Sequence, residues 1–80
     1  MTIKAFLNIV PWHIRASWGL KNITENNGTV FAEVSGRKYT GPISVGPEDD
    51  NDIISASVGN THLSGNKENL WKQLDHTIES

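Results

Sequence analysis

The sequence predicts an α+β domain: an antiparallel meander sheet of four or five strands with a C-terminal helix packed across one face. Three observations favour this fold class. Short runs alternate apolar with polar residues, asparagine and glycine stand between them, and the C-terminal segment has apolar residues at helical spacing. With 80 residues and no cysteine, residues 1–80 are expected to form a single domain that packing alone stabilises.

The first segment, residues 2–10, allows two interpretations. A strand would direct alternate residues from Ile3 to Ile9 to one side. A short helix would instead bury Ile3, Phe6, Leu7 and Val10. Pro11 disfavours the α conformation at the residue before it, so any helix would be only about two turns long. We favour the strand.

Residues 13–24 show the clearest alternation, which predicts a half-buried strand. Its inward face would carry Ile14, Ala16, Trp18 and Leu20. The segment Asn26-Asn27-Gly28 then predicts a tight hairpin turn, because asparagine and glycine tolerate positive φ values. The return strand, residues 29–34, would place Phe31 and Glu33 outward, opposite Val30, Ala32 and Val34.

A third strand is predicted over residues 37–45, with Tyr39, Ile43 and Val45 on one face. Gly41-Pro42 interrupts it, and proline cannot donate a ladder hydrogen bond, so we expect this strand at a sheet edge. An exposed edge would also permit a homodimer through strand pairing. The chain is therefore expected to be a monomer or a homodimer.

Residues 47–57 again allow two interpretations. Pro47 followed by acidic residues is typical of a helix start, but Ile54, Ala56 and Val58 alternate with serines, so we favour a loop followed by a strand. The C-terminal helix is clearer, since Asn66 can cap it and Glu68 lies in its first turn. Its apolar stripe comprises Leu70, Trp71, Leu74 and Ile78. Together these patterns predict a core of Ile14, Trp18, Leu20, Val30, Val34, Ile54, Leu70, Trp71 and Leu74.

The net charge of −2 conceals an uneven distribution. Residues 1–46 contain five basic and two acidic residues, whereas residues 47–80 contain two basic and seven acidic ones. Much of the excess lies in the run Glu48, Asp49, Asp50 and Asp52. Glycine and carboxylate are missing from the positions that an EF-hand loop requires. We interpret the run as a solvated loop or as an acidic contact patch that resembles the phosphates of a nucleic acid.

Basic residues next to an aromatic residue suggest a second surface. Arg37, Lys38 and Tyr39 adjoin each other, and the strand predicted over residues 13–24 would present Arg15 and Lys21 outward. Such a face could hold phosphate while a ring stacks on a base. The acidic balance of the whole chain argues against this role, since nucleic-acid modules are usually strongly basic.

The three tryptophans have different expected environments. Trp18 and Trp71 fall on inward stripes, and Trp12, which follows Pro11, is the one expected to be exposed. Tryptophan, tyrosine and arginine dominate protein interfaces energetically. We therefore expect Trp12, Phe31, Arg37 and Tyr39 to contact a partner.

No motif for catalysis, metal binding or cofactor binding is present. The chain lacks cysteine, its three histidines are far apart in sequence, and neither a nucleophile elbow nor a glycine-rich phosphate loop occurs. No catalytic residue, metal ligand or cofactor site is therefore predicted. The apolar run from Ala5 to Val10 is too short to cross a bilayer, and no signal peptide is recognisable, so we expect a cytoplasmic protein.

These expectations together favour a non-enzymatic macromolecule-binding protein. It would act as a small stoichiometric inhibitor or adaptor of a larger protein complex, including one that handles nucleic acid, of the counter-defence type used by phages or mobile elements. The alternative is direct binding of nucleic acid or nucleotide through the basic face of the sheet. A small enzyme is the third and least favoured interpretation. The expected partner-binding residues are Trp12, Arg15, Phe31, Arg37, Lys38, Tyr39, Glu48, Asp49, Asp50 and Asp52.

Overall fold

A computed structural model describes residues 1–80. Three helices and five strands follow one another: α1 (Ile3–Ile9), α2 (Trp12–Trp18), β1 (Lys21–Asn26), β2 (Thr29–Ser35), β3 (Thr40–Glu48), β4 (Ile54–Val58), β5 (Thr61–Gly65) and α3 (Lys67–Glu79). The strands form one sheet in the order β1-β2-β3-β4-β5, and every neighbouring pair is antiparallel. Helix α3 packs on β4 and β5. The predicted α+β class, a meander sheet with a C-terminal helix on one face, is confirmed.

The strand favoured for residues 2–10 is wrong, because this segment forms helix α1. The Thr2 hydroxyl accepts a hydrogen bond from the Ala5 backbone N–H, which satisfies one of the free donors at the helix start. Val10 ends the helix in an extended conformation before Pro11. Phe6 and Val10 are buried, as the helical interpretation of the segment requires.

The strand predicted over residues 13–24 is also wrong in its first half. Residues 12–18 form helix α2, and β1 begins only at Lys21. Ile14 and Trp18 are two positions of the alternating pattern, but they are also four residues apart and therefore share a helix face. Gly19, with φ of 61°, ends the helix in the left-handed region that glycine adopts readily.

The hairpin between β1 and β2 is confirmed. Asn27 and Gly28 form its two-residue loop with φ values of 53° and 80°, as the favoured primed turn requires. In β2, Val30, Ala32 and Val34 are buried. Phe31 lies on the opposite face of the strand, as predicted, and is 44% exposed.

The edge position expected for the third strand is wrong, since β3 is the central strand of the sheet. Pro42 is tolerated there because the ladder between β3 and β4 begins only at Ile43. The sheet edges are β1 and β5, and the sequence patterns did not predict β5. The third strand begins and ends three residues later than the predicted range of 37–45, so residues 47 and 48 belong to β3. From residue 49 onward the favoured loop followed by a strand is confirmed, because a turn leads into β4.

One core of 14 buried apolar residues lies between the sheet and the helices. Helix α3 contributes Leu70, Leu74 and Ile78, and the Asn66 side chain caps it by accepting from the Asn69 backbone N–H. Six of the nine predicted core residues are fully buried, while Ile14, Leu20 and Trp71 are half-buried against the core. The opposite face of the sheet, which carries Phe31, has no helix on it. We call it the open face.

Candidate functional site

The most exposed large apolar side chain is Trp12, the first residue of α2, which is 72% exposed. It borders a groove of about 380 Å³ between α1, α2 and β1. We call this the Trp12 groove; its lining residues are Leu7, Trp12, Arg15, Ala16, Leu20 and Ile23. The indole ring meets the edge of the His13 ring at a centroid distance of 6.1 Å. A large aromatic side chain thus stands beside an apolar concavity on the surface.

Arg15 is the charged residue of the Trp12 groove. Its Nε atom is withdrawn from solvent and has no hydrogen-bond partner. No acidic side chain lies within ion-pair distance, since the ion pair of this structure joins Lys67 to Glu48. The sequence predicted Arg15 on a strand beside Lys21, but α2 instead presents it to the groove. Because Nε has no contact with solvent, an acceptor from another molecule could reach the guanidinium only at its other nitrogens.

The remaining basic and aromatic candidates lie elsewhere. Arg37 and Lys38 are exposed in the loop between β2 and β3, and Phe31 projects from the open face. Tyr39 is half-buried, and its hydroxyl donates to the Pro42 carbonyl oxygen at 2.6 Å.

On the open face, Glu33 faces Lys21 across the strands and accepts a hydrogen bond from the Asn22 amide at 2.5 Å. The predicted basic face is therefore divided, and a carboxylate lies opposite Lys21.

The acidic run spans the last residue of β3, Glu48, and the turn between β3 and β4. Asp49 organises this turn, because its carboxylate accepts hydrogen bonds from the backbone N–H groups of Asn51 and Ile53 at 2.8 and 3.0 Å. The Glu48 carboxylate forms an ion pair with the Lys67 ammonium of α3 at 3.5 Å. Asp52 lies in the left-handed backbone region, with φ of 61°. Asp50 makes no side-chain hydrogen bond or ion pair. The acidic residues thus occupy an ordered turn next to the start of α3.

A second groove, of about 430 Å³, lies between α1 and the first turns of α3. We call it the Trp71 groove; its lining residues are Ala5, Asn8, Ile9, Lys67, Glu68 and Trp71. A shallower polar depression of about 300 Å³ adjoins it and shares Lys67 and Glu68. Glu48 and Asp52 line that depression as well. The acidic turn therefore adjoins a groove whose lining is half apolar and half polar.

One arrangement on the open face combines a hydroxyl with a possible base. The Ser57 hydroxyl lies 3.0 Å from His62 Nδ1. No carboxylate binds the other ring nitrogen, so the orienting acid of a catalytic triad is missing. No group of three or more His, Cys, Asp or Glu residues is placed to hold a metal ion.

No protein family, curated protein or solved structure matches this chain significantly. The helices are all too short or too polar to cross a membrane.

Of the ten predicted partner-binding residues, the structure brings Trp12 and Arg15 together in one groove, and it places Asp49, Asp50 and Asp52 in one turn directly after Glu48. Sequence reasoning missed the contribution of α1, from which Leu7 lines the Trp12 groove and Ala5, Asn8 and Ile9 line the Trp71 groove. If residues 2–10 are taken as a helix, their apolar side chains point in several directions. Such a distribution indicates that the helix packs against more than one other element.

Proposed function

We propose that this chain is a non-enzymatic protein-binding domain whose Trp12 groove accepts an apolar side chain and an acidic group of a partner protein. The observation that carries the proposal is the 72% exposure of Trp12 at the border of an apolar groove. Tryptophan and arginine are the residues most enriched in interface hot spots. Both are present here, on adjoining turns of one helix.

Burial of the Trp12 ring would supply much of the binding free energy. Its exposed fraction corresponds to roughly 150 Å² of surface, which at about 25 cal/mol per Å² gives an upper limit of about 4 kcal/mol. The costs of association reduce this gain. A partner side chain that fills the groove would add to it by covering Leu7 and Leu20.

Arg15 would provide specificity. Its unpaired Nε already lies out of contact with water, so part of the desolvation cost of an ion pair is met before binding. A partner carboxylate could accept from the guanidinium with two parallel hydrogen bonds. Partners with a basic group at this position would be rejected by charge repulsion.

We further propose that the domain acts stoichiometrically, as an inhibitor or adaptor of a larger complex in the cytoplasm, as a monomer or a homodimer. The absence of a recognisable catalytic motif supports a role that depends on occupancy alone. The excess of acidic residues after residue 46 suits a partner with a basic surface, such as a complex that handles nucleic acid. A phage or mobile-element protein that blocks a host defence complex would act in this way.

The test uses a photo-crosslinking amino acid introduced in place of Trp12 and, as a control, in place of Asn60, which is exposed in the turn between β4 and β5. Crosslinks from position 12 but not from position 60 are expected to identify the partner. With the purified partner, Trp12→Ala is then expected to weaken binding by roughly 30-fold, which is typical of a hot-spot residue. Equal crosslinking at both positions, or affinity within twofold of the original, would refute the proposal.

Direct nucleic-acid binding is tested in the same series. Oligonucleotide affinity that falls steeply with salt and depends on Arg37 and Lys38 would favour that alternative over a protein partner.

A further inference from the structure

We propose that the Trp71 groove is a second binding site, independent of the Trp12 groove, and that it takes a basic segment of a protein. An apolar side chain of that segment would lie against Trp71, and adjoining lysine or arginine side chains would meet the acidic residues at the border of the groove.

The apolar part of the site is formed by two helices. Ala5 and Ile9 of α1 face Trp71 of α3 across a groove of about 430 Å³. That volume is within the range of roughly 300–1,000 Å³ for sites that bury a small ligand, so one or two large side chains fit. Trp71 is half-buried and packs against the core. Its ring is therefore held in place before a ligand arrives, which lowers the entropic cost of binding.

The charge around the groove selects a cationic ligand. Glu68 lines both the groove and the adjoining depression, where Asp52 and Glu48 are also found. Lys67 neutralises Glu48 at 3.5 Å, but Asp52 and Glu68 have no ion-pair partner. The hydrogen bonds of Asp49 hold the turn that carries Asp52. The two free carboxylates thus border the groove and its adjoining depression, with the backbone at Asp52 held by the turn.

The chain's own lysines show the same preference for a cation. The Lys72 ammonium lies 5.9 Å from the centre of the Trp71 ring, within the range of a cation–π contact. Together with the Lys67–Glu48 pair, this places two ammonium groups of the chain against the ring and the acidic residues. A nucleic acid is disfavoured here, since its phosphates would be repelled by Asp52 and Glu68.

The site can be tested by NMR titration of the intact 80-residue chain, labelled with ¹⁵N. The probes are two peptides of equal length, one alternating lysine with leucine and one alternating glutamate with leucine. We expect the lysine peptide alone to shift the Trp71 indole signal and the amides of residues 5–9 and 66–71. The Trp12 indole signal should stay unchanged.

Variants of the chain distinguish binding at the Trp71 groove from nonspecific attraction between the acidic chain and a basic peptide. Asp52→Asn combined with Glu68→Gln is expected to weaken binding of the lysine peptide about fivefold at low salt, because two exposed ion pairs are lost. Asp50→Asn and Asp52→Asn are the matched single variants, since each removes one charge from the same turn but only Asp52 lines the depression. Asp52→Asn should weaken binding about twofold at low salt, and Asp50→Asn should leave the affinity unchanged. Trp71→Phe should weaken binding without unfolding the chain, and Trp12→Ala should leave peptide affinity unchanged.

Three results with the peptides would overturn the inference: equal shifts of the Trp71 indole signal by both peptides, equal effects of Asp50→Asn and Asp52→Asn on lysine-peptide affinity, or lysine-peptide shifts confined to another surface. Self-association that shifts the Trp71 indole signal at rising protein concentration without peptide would overturn it as well, because a second copy would then fill the groove. Failure of this test leaves the Trp12 proposal intact, since crosslinking from position 12 measures a different surface.

Discussion

The hydrogen bond between Trp18 and Asp75 should be the most important polar contact for stability. Trp18 is fully buried, and its indole Nε1 donates to Asp75 Oδ1 at 2.9 Å across 57 residues of sequence. This contact joins α2 to α3. Asp75→Ala is expected to remove the acceptor and leave the indole N–H without a partner.

The magnitude follows from the burial of the donor and the charge of the acceptor. Hydrogen bonds to charged groups contribute about 1.5–3 kcal/mol, and Asp75 is only half-buried, so we expect a loss of about 2 kcal/mol for Asp75→Ala. Asp75→Asn keeps an acceptor without the charge and should lose about half as much. A domain of this size has a total unfolding free energy of about 4–12 kcal/mol, so both variants should still fold.

Urea unfolding followed by far-ultraviolet circular dichroism measures the effect without relying on tryptophan fluorescence. With an m value of about 1 kcal/mol per M, the midpoint of Asp75→Ala should fall by about 2 M. A cycle with Trp18→Phe should give a coupling energy of at least about 1 kcal/mol. A loss below about 0.5 kcal/mol for Asp75→Ala, or strict additivity in the cycle, would show that the contact contributes nothing specific.

Three further variants test other parts of the structure by the same unfolding measurement. Gly36→Ala should destabilise the domain by more than about 3 kcal/mol, because the added Cβ would lie 2.4 Å from the Ile78 carbonyl oxygen. A loss below about 1 kcal/mol would contradict the close approach of Gly36 to Ile78. Asn66→Ala removes the cap of α3 and should cost about 1 kcal/mol, whereas Asn66→Ser should restore most of it. Trp12→Ala should change stability by less than about 0.5 kcal/mol; a larger loss would mean that the ring supports the fold and is not free for a partner.

The sheet and the last helix could be predicted because local patterns determine them. In β2, buried and accessible residues alternate, and Asn27-Gly28 supplies the turn that fixes its register with β1. Likewise, Asn66 marks where α3 begins, and the apolar stripe of α3 determines which face of the helix is buried.

The N-terminal quarter could not be predicted in this way because its apolar residues satisfy two periods at once. Ile14 and Trp18 fit a strand as second neighbours and a helix as fourth neighbours. Helices α1 and α2 each have only seven residues, too few to be stable without tertiary contacts. Burial of Phe6, Val10 and Trp18 against the sheet and α3 therefore decides the outcome, and contacts of that kind are not visible in a local pattern.

The same dependence explains why the candidate surfaces were only partly foreseen. Exposed Trp12 and the acidic turn could be recognised from composition and position, but a groove needs walls from separate elements. Helix α1 provides those walls: Leu7 lines the Trp12 groove, Ala5 and Ile9 line the Trp71 groove, and Phe6 anchors the helix in the core. Since so short a helix exists only while it is packed, the two grooves are properties of the folded domain and not of any excised segment.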